Sequence, residues 1–217
     1  MSEPAAATLT RGVEDSAQRL LAAAERIVLR EGAPVLSLRR IAAQSGLNSA
    51  LVSYYFGGLD GLCERLAQEN LDLIAGARRA QLGAVQSGGA DADRLRQVIA
   101  AYTDPLWLIP ATRNPQPARA VVRELLPALK PAARERAVAQ INQSVEAVAS
   151  AAAPLLAHLT HDALVMRLRL LAGAAELLHP RVDLLGLFPL QRGRDEHSTE
   201  EMRQQMMSFA IGAVLAP

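Results

Sequence analysis

Several things are scarce in this sequence. Cys63 is the single cysteine among 217 residues. One thiol excludes an intrachain disulfide, a cysteine zinc cluster and a CxxC redox pair, and it suits a reducing compartment. Aromatic residues make up 3% of the chain: three Phe, three Tyr and one Trp. In their place stand 41 Ala and 34 Leu, strong helix formers where strand formers are few. A β-sandwich or barrel is therefore disfavoured, nothing predicts a sheet, and the expected class is all-α. No run of 18 uncharged apolar residues occurs, so no membrane span is expected. The start, Met1-Ser2-Glu3-Pro4, offers neither a basic nor an apolar leader, and a secretory signal is not expected. These readings place the protein in the cytoplasm. The length suits one large domain or two small ones with a sizeable core.

Charge is nearly balanced at +1, which points to no partner by itself. Its distribution is more telling. Residues 1–75 hold seven Arg against nine acids, yet between Glu31 and Asp60 there is no acid, only Arg39 and Arg40. Inside that window three of the seven aromatics are consecutive: Tyr54, Tyr55 and Phe56. A chain short of aromatics has gathered them at one place.

Residues 1–13 are small and polar and read as a disordered tail. From Ser16 an apolar stripe of Ala17, Leu20, Leu21, Ala24, Ile27 and Val28 marks a helix, stopped by Gly32 and Pro34. Ser37 reads as an N-cap for a short helix carrying Leu38, Ile41 and Ala42, and Gly46 as its C′ residue. Asn48 caps a second short helix, 49–56, ended by Gly57-Gly58. Asp60 opens a longer helix to about Leu82, with Leu62, Leu66, Leu73 and Ile74 as its stripe. Further helices are predicted at about 95–109, 117–126, 132–153, 162–179 and 199–215. Six of the twelve prolines lie between Pro105 and Pro131, so short helices and bends are expected there. Segment 180–198 reads as a loop with an apolar centre, 184–188.

Residues 37–56 form one unit: short helix, turn of about three residues, short helix. This is helix-turn-helix spacing. Val52 and Phe56, four apart, face inward with Ile41 and Leu47. Ser49, Ala50, Ser53 and Tyr54 then face outward. Small side chains allow close backbone approach in a major groove, and hydroxyls reach phosphate oxygens. The start of the second helix, with its open N–H groups and the Asn48 amide, suits a phosphate as well.

The segment also resembles a known family. Ser37-Leu38-Arg39-Arg40-Ile41-Ala42-Ala43-Gln44-Ser45-Gly46-Leu47 is similar to the "T-hydrophobic-x-x-IA-x-x-(A/S)-G-V" stretch of TetR-family one-component regulators. Asn48 to Phe56 resembles that family's "S-x-G-x-(L/I)-Y-Y-H-F", and Gly57-Gly58-Leu59-Asp60-Gly61-Leu62 its "K-S-K-E-x-L". The likeness covers residues 19–66. Leu59 replaces the usual Lys, Tyr55 the common His, and Ser53 the first of the paired aromatics. The resemblance implies an N-terminal DNA-binding domain at 14–60 and a helical effector-binding and dimerisation domain at 61–217. It implies that Tyr54 donates to a phosphate and that Asn48 caps the helix and contacts the backbone. Ser49, Ala50 and Ser53 lie against base edges, Tyr55 touches backbone or packs at the rim, and Ser37 with Arg39 or Arg40 meets phosphate. It implies a homodimer on a palindromic DNA operator and a small-molecule effector, largely apolar, whose pocket includes Tyr102 and Trp107. The expected function is a ligand-responsive repressor, not an enzyme.

Two stripes follow for the dimer: Leu164, Leu168, Leu171, Ala175 and Leu178, and Met202, Met206, Phe209 and Ala213. The resemblance makes them an interface between subunits; the pattern alone is equally served by an intrachain core. Tyr102 and Trp107 likewise serve as plain core. Cys63, in the first turn of a helix, suits a redox sensor or a small packed hydrophobe; the nearby Asp60 and Glu64 oppose a thiolate. His158-x-x-His161-Asp162 and Glu176-x-x-His179 are thin as metal sites, since no second Glu-x-x-His is present. No GxSxG, P-loop or dinucleotide fingerprint occurs, so no catalytic residue, metal or cofactor is expected. A helical enzyme or metalloprotein, and a helical adaptor using the 199–215 stripe, are the alternatives.

Overall fold

The computed structural model describes residues 3–86, 88–177 and 199–216. Nine α-helices run through the described residues: α1 (Glu3–Glu31), α2 (Leu38–Ser45), α3 (Ala50–Phe56), α4 (Leu59–Gly83), α5 (Asp91–Leu108), α6 (Ala118–Leu125), α7 (Pro131–Ala152), α8 (His161–Leu177) and α9 (Thr199–Leu215). Seven of these begin and end within a few residues of the sequence expectation; α5 starts four residues earlier than read. The exception is α1, which begins at Glu3 instead of near residue 14. The 1–13 segment read as a tail is therefore helical from Glu3: Pro4 sits in the first turn, where its missing N–H costs nothing, and Ala5–Ala7 favour helix.

A second departure is a small antiparallel hairpin, β1 (Pro110–Ala111) and β2 (Asn114–Pro117), where no strand was predicted. Pro110 pairs with Pro117 and Ala111 with Asn114, with an irregularity between the two. Prolines at both ends cannot donate to the ladder, which keeps it this short. Asn114 Oδ1 accepts the Gln116 N–H at 3.1 Å and shapes the turn. Another proline of this stretch, Pro105, does not break its helix but lies inside α5.

The chain divides into two compact units, Met1–Leu73 with Pro110–Ala139, and Ile74–Ile109 with Gln140–Pro217. In the first, α1 packs on α2, α3 and α6. The stripe read from the sequence does this: Leu20, Leu21, Ala24, Ile27 and Val28 are all buried, each large side chain contributing about 1.5–3 kcal/mol. Ile41 of α2, Val52 of α3 and Leu62 and Leu66 of α4 complete that core. Leu73, expected on the same stripe, is exposed instead. In the second unit α5 packs on α8 and α9. Its core joins Val98, Ile99 and Tyr102 of α5, Val145, Val148 and Ala149 of α7, Leu164, Leu168 and Leu171 of α8, and Ala210 and Val214 of α9. Segment 180–198 and its apolar centre lie outside the described residues.

Candidate nucleic-acid interface

The α2–turn–α3 segment is built by short-range chemistry. Ser37 is extended (φ −151°, ψ 156°) and its Oγ accepts the Arg40 N–H at 3.3 Å, capping α2. At the other end Gly46 turns left-handed at φ 68°, a conformation that costs an L side chain about 1–2 kcal/mol. Its N–H and that of Leu47 both reach the Ala42 carbonyl, at 2.9 and 3.3 Å. The last carbonyl of α2, on Ser45, accepts a bond from Arg19 Nη2 of α1 at 3.0 Å. Arg19 was not singled out from the sequence, because its role depends on a contact 26 residues away. Asn48 Oδ1 accepts the Ala50 N–H at 2.9 Å, so the asparagine caps α3 as expected. Ser49, just before the helix, makes no capping bond of its own.

Burial sorts the faces of α3 much as the spacing implied. Val52 is fully buried, as is Ile41 across the turn. Ala50 and Ser53 are exposed, and Tyr54 is 75% exposed. Tyr55 and Phe56 are half-buried, so Phe56 is less enclosed than expected. The three rings form an edge-to-face series, with centroids 5.0 Å apart for Tyr54–Tyr55 and 6.2 Å for Tyr55–Phe56. Each ring restrains its neighbour. The helix ends at Gly57 (φ 70°), and α4 starts close beside it: a Cβ on Gly61 would overlap the Phe56 carbonyl oxygen.

The two arginines differ. Arg39 is exposed and makes no ion pair among the described residues. Arg40 is also exposed but is held by Glu31 at 2.5 Å, so the acid at the edge of the window reaches into it. Beyond the window, the acids opening α4 are met by basic residues from the start of α7 and the turn before it. Lys130 Nζ lies 2.8 Å from Asp60, and Arg136 pairs with Glu64. These exposed pairs contribute little stability but leave that end of α4 less acidic than its sequence suggests.

A buried polar cluster ties the hairpin to the same unit. The Arg113 N–H donates to Glu25 Oε1 of α1 at 2.9 Å, and its guanidinium reaches Glu69 Oε2 of α4 at 2.7 Å and Gln18 Oε1 at 2.6 Å. The Thr112 N–H donates to Asn70 Oδ1 at 3.3 Å, and Asn70 Nδ2 donates to the Leu66 carbonyl at 2.9 Å. Glu25 is fully enclosed, and burial pushes its carboxyl pKa up, opposed by the Arg113 N–H, Asn70 and the Arg113 charge. No local motif signals the partners of Thr112 and Arg113, which lie 42 to 95 residues away in sequence.

In the second unit Tyr102 is buried, and its hydroxyl donates to the Leu168 carbonyl at 2.7 Å. Trp107 is buried beside Ala175 and Met206. Neither lines the cleft of about 840 Å³ that opens between α5 and α9, whose wall includes Arg94, Arg96, Gln97, Arg203, Met207 and Ile211. On the α8 stripe, Leu164, Leu168, Leu171 and Ala175 are all buried in the chain's own core clusters. Met206 of α9 is buried too. The outward apolar side chains are Met166 (63% exposed) and Leu170 (68%) on α8 and Phe209 (57%) on α9. The stripe was real, but periodicity does not say whether its partner is another copy or the same chain. Ala213 is half-buried; Leu178 and the Met202 side chain lie outside the described residues.

Cys63 is buried, and burial with the Asp60 charge pushes its thiol up to about 11. It is a packed side chain, not a primed thiolate. His158 is exposed, and His161 Nε2 faces Glu146 at 2.9 Å. Among the described residues no three His, Cys, Asp or Glu side chains gather as a metal site, and no helix is long and apolar enough to cross a membrane. Glu176-x-x-His179 reaches beyond the described residues.

No protein-family model matches the chain, and no curated protein matches it in sequence. Solved structures match it in fold. A TetR-family transcriptional regulator from Bordetella parapertussis superposes with a TM-score of 0.67 at 13% identity, covering 90% of this chain and 93% of its own. The TetR-family regulator PfmR from Thermus thermophilus gives 0.62 at 13% identity, over 90% and 97%. The multidrug binding protein EbrR, crystallised with imidazole, gives 0.55 at 21% identity, over 93% and 96%. The shared fold is that of TetR-family transcriptional regulators, a helix-turn-helix segment followed by further helices.

Proposed function

We propose that this chain is a TetR-family transcriptional regulator that binds duplex DNA through α2 and α3. The observation that carries this reading is the outward face of α3. Ala50, Ser53 and a Tyr54 that is 75% exposed stand there beside the buried Val52, with the half-buried Ser49 just before them, after a turn that begins at Gly46. Tyrosine is enriched at interfaces, where its ring packs and its hydroxyl finds a partner, and this chain has only three. Tyr54, Asn48 through its amide N–H groups, Ser37 and Arg39 meet phosphates. Ser49, Ala50 and Ser53 meet base edges, and Tyr55 packs at the rim. Arg40 joins the phosphate contacts when it leaves Glu31.

The DNA-reading part is residues 14–60, and effector binding and dimerisation belong to 61–217. One short helix reads few bases, so two copies related by a two-fold axis read a palindromic operator. The copies meet through the outward faces of α8 and α9, where Met166, Leu170 and Phe209 are exposed. A small molecule held in the helical unit near Tyr102 and Trp107 favours a dimer whose recognition helices no longer match successive major grooves, and a repressor is thereby released. A swing from 1:99 to 99:1 requires about 10⁴-fold differential affinity of that ligand for the two states. The protein works inside the cell and is not an enzyme. The name of EbrR as a multidrug binding protein supports the ligand-binding part of this reading.

Footprinting on the DNA flanking the protein's own gene tests it. The expected result is a protected, two-fold-related site with half-sites about 10–10.5 base pairs apart or a multiple of that. Absence of protection there and in a genome-wide selection would refute it.

A further inference from the structure

The interior of the second unit holds a charge that its own side chains do not balance. Arg78 on α4 is only 5% exposed. One Nη donates to Ser144 Oγ of α7 at 2.7 Å, and the other to the Tyr102 carbonyl of α5 at 3.0 Å. The guanidinium carbon lies 4.7 Å from the centre of the Tyr102 ring. The Nε of Arg78 is buried without an acceptor. Among the described residues no carboxylate pairs with it. A hydroxyl, a carbonyl and a ring face offer partial charge only. A buried ion in this situation is costly, and a neutral side chain of the same length packs without that cost.

Tyr102 is not the missing counter-charge. Burial pushes its phenol up to about 12, even with Arg78 and Arg169 pulling it down, so it stays neutral. The second of these arginines, Arg169 on α8, is exposed, and its guanidinium donates to Asn142 Oδ1 at 3.5 Å, the far limit of a hydrogen bond. Arg78 is thus enclosed by a serine hydroxyl, a backbone carbonyl and one aromatic ring face. Tyr102 also belongs to the apolar core with Val98, Val145, Val148 and Leu164. Such surroundings suit an anion with one charge and a hydrocarbon body better than a doubly charged phosphate.

We propose that Arg78 is the counter-charge for a carboxylate-bearing small molecule, with Arg169 as the second cation and the Tyr102 ring as the flat surface beside it. This rests on the reading of the chain as an effector-responsive regulator and names the effector's chemical class. A guanidinium matches a carboxylate through two parallel N–H bonds. The buried Nε supplies one donor of that fork. An Nη supplies the other by leaving the Ser144 hydroxyl or the Tyr102 carbonyl.

The test uses thermal unfolding of the full-length protein at constant ionic strength. The probes are benzoate and the straight-chain carboxylates from butanoate to dodecanoate, each beside its neutral amide, and inorganic phosphate. At least one carboxylate should raise Tm in a saturable way, while its amide and phosphate do not. In Arg78→Met that carboxylate should bind at least about tenfold more weakly. Without ligand, Arg78→Met should unfold no lower than the parent, since a buried ion has been removed. The proposal is overturned if no carboxylate exceeds its amide, if the response survives in Arg78→Met, or if the ligand-free variant is less stable. Should Arg78→Met fail to fold, Arg78→Lys keeps the charge but loses the fork. It must then weaken carboxylate binding in a folded protein, or the proposal fails. Phosphate binding in place of carboxylate also overturns it. A gel shift on the same preparations separates this idea from the regulator reading. DNA binding without a carboxylate response sinks the site alone, and a carboxylate response without DNA binding sinks the regulator alone.

Discussion

Helix α4 carries two glycines for which the same substitution should have opposite effects. At Gly61, a Cβ would fall inside the Phe56 carbonyl oxygen and lie 3.0 Å from the carbonyl carbon. Both atoms are backbone, at the last turn of α3, and cannot rotate aside. To restore van der Waals separation, the end of α3 must retreat from α4 by on the order of 1 Å. Val52 is fully buried against the same core, so that retreat drags a packed side chain with it. Gly61→Ala should therefore cost about 2–3 kcal/mol, the upper part of the overpacking range, because nothing flexible yields. At Gly76 the nearest atom is the tip of Arg79 at 3.9 Å, ordinary contact with a movable group. Gly76→Ala should stabilise by about 0.5–1 kcal/mol through helix propensity. Gly57 is a third case: open space, but φ 70°, for a cost of about 1–2 kcal/mol. Urea unfolding followed by circular dichroism gives all three. The expected order of stability is Gly76→Ala above the parent, then Gly57→Ala, then Gly61→Ala. A Gly61→Ala midpoint at or above the parent's would refute the claimed contact between α3 and α4.

Other outcomes follow from the same contacts. Cys63, with its thiol pushed up to about 11 by burial, should resist iodoacetamide at pH 8 in the folded protein and react once urea unfolds it; rapid native alkylation would contradict its burial. The Glu25 carboxyl has a raised pKa in the fold, so folding takes up a proton as the pH falls through that raised value. The charged form weakens the fold at neutral pH, and the weakness is relieved in acid. Parent stability measured against Glu25→Gln should therefore rise as pH is lowered through that value toward the ordinary carboxylate range, and a difference that stays flat or falls across that window would be inconsistent with this. Leu170→Glu places a charge on the exposed α8 face and should convert a dimer into monomers on a sizing column with helicity intact. An unchanged elution volume would remove that face from the interface.

The helices were legible because their signals are local. Ser37, Gly46 and Asn48 act within a few residues of themselves, and the stripe from Leu20 to Val28 needs only one buried side. The outward set on α3 followed from the four-residue spacing of Val52 and Phe56. What stayed hidden is long-range. The hairpin at 110–117 depends on Arg113 and Thr112 finding Glu25, Glu69 and Asn70, and its prolines argue only against helix. The Arg40–Glu31 pair was not legible because Glu31 is nine residues back, on another helix. The α8 leucines showed a buried face but not whose core it joins. Their neighbours Met166 and Leu170, which face out, broke no pattern and drew no notice.

DNA affinity of the recognition face is the quantity to measure, on a footprinted duplex and over a range of salt. If α3 and the start of α2 carry the contacts, Tyr54→Phe combined with Asn48→Ala should weaken binding about tenfold or more while the protein stays folded. Arg39→Ala should lower the slope of log affinity against log salt by about 1. Unchanged affinity in the double variant, with an unchanged slope in Arg39→Ala, would mean that this surface is not where the protein meets DNA.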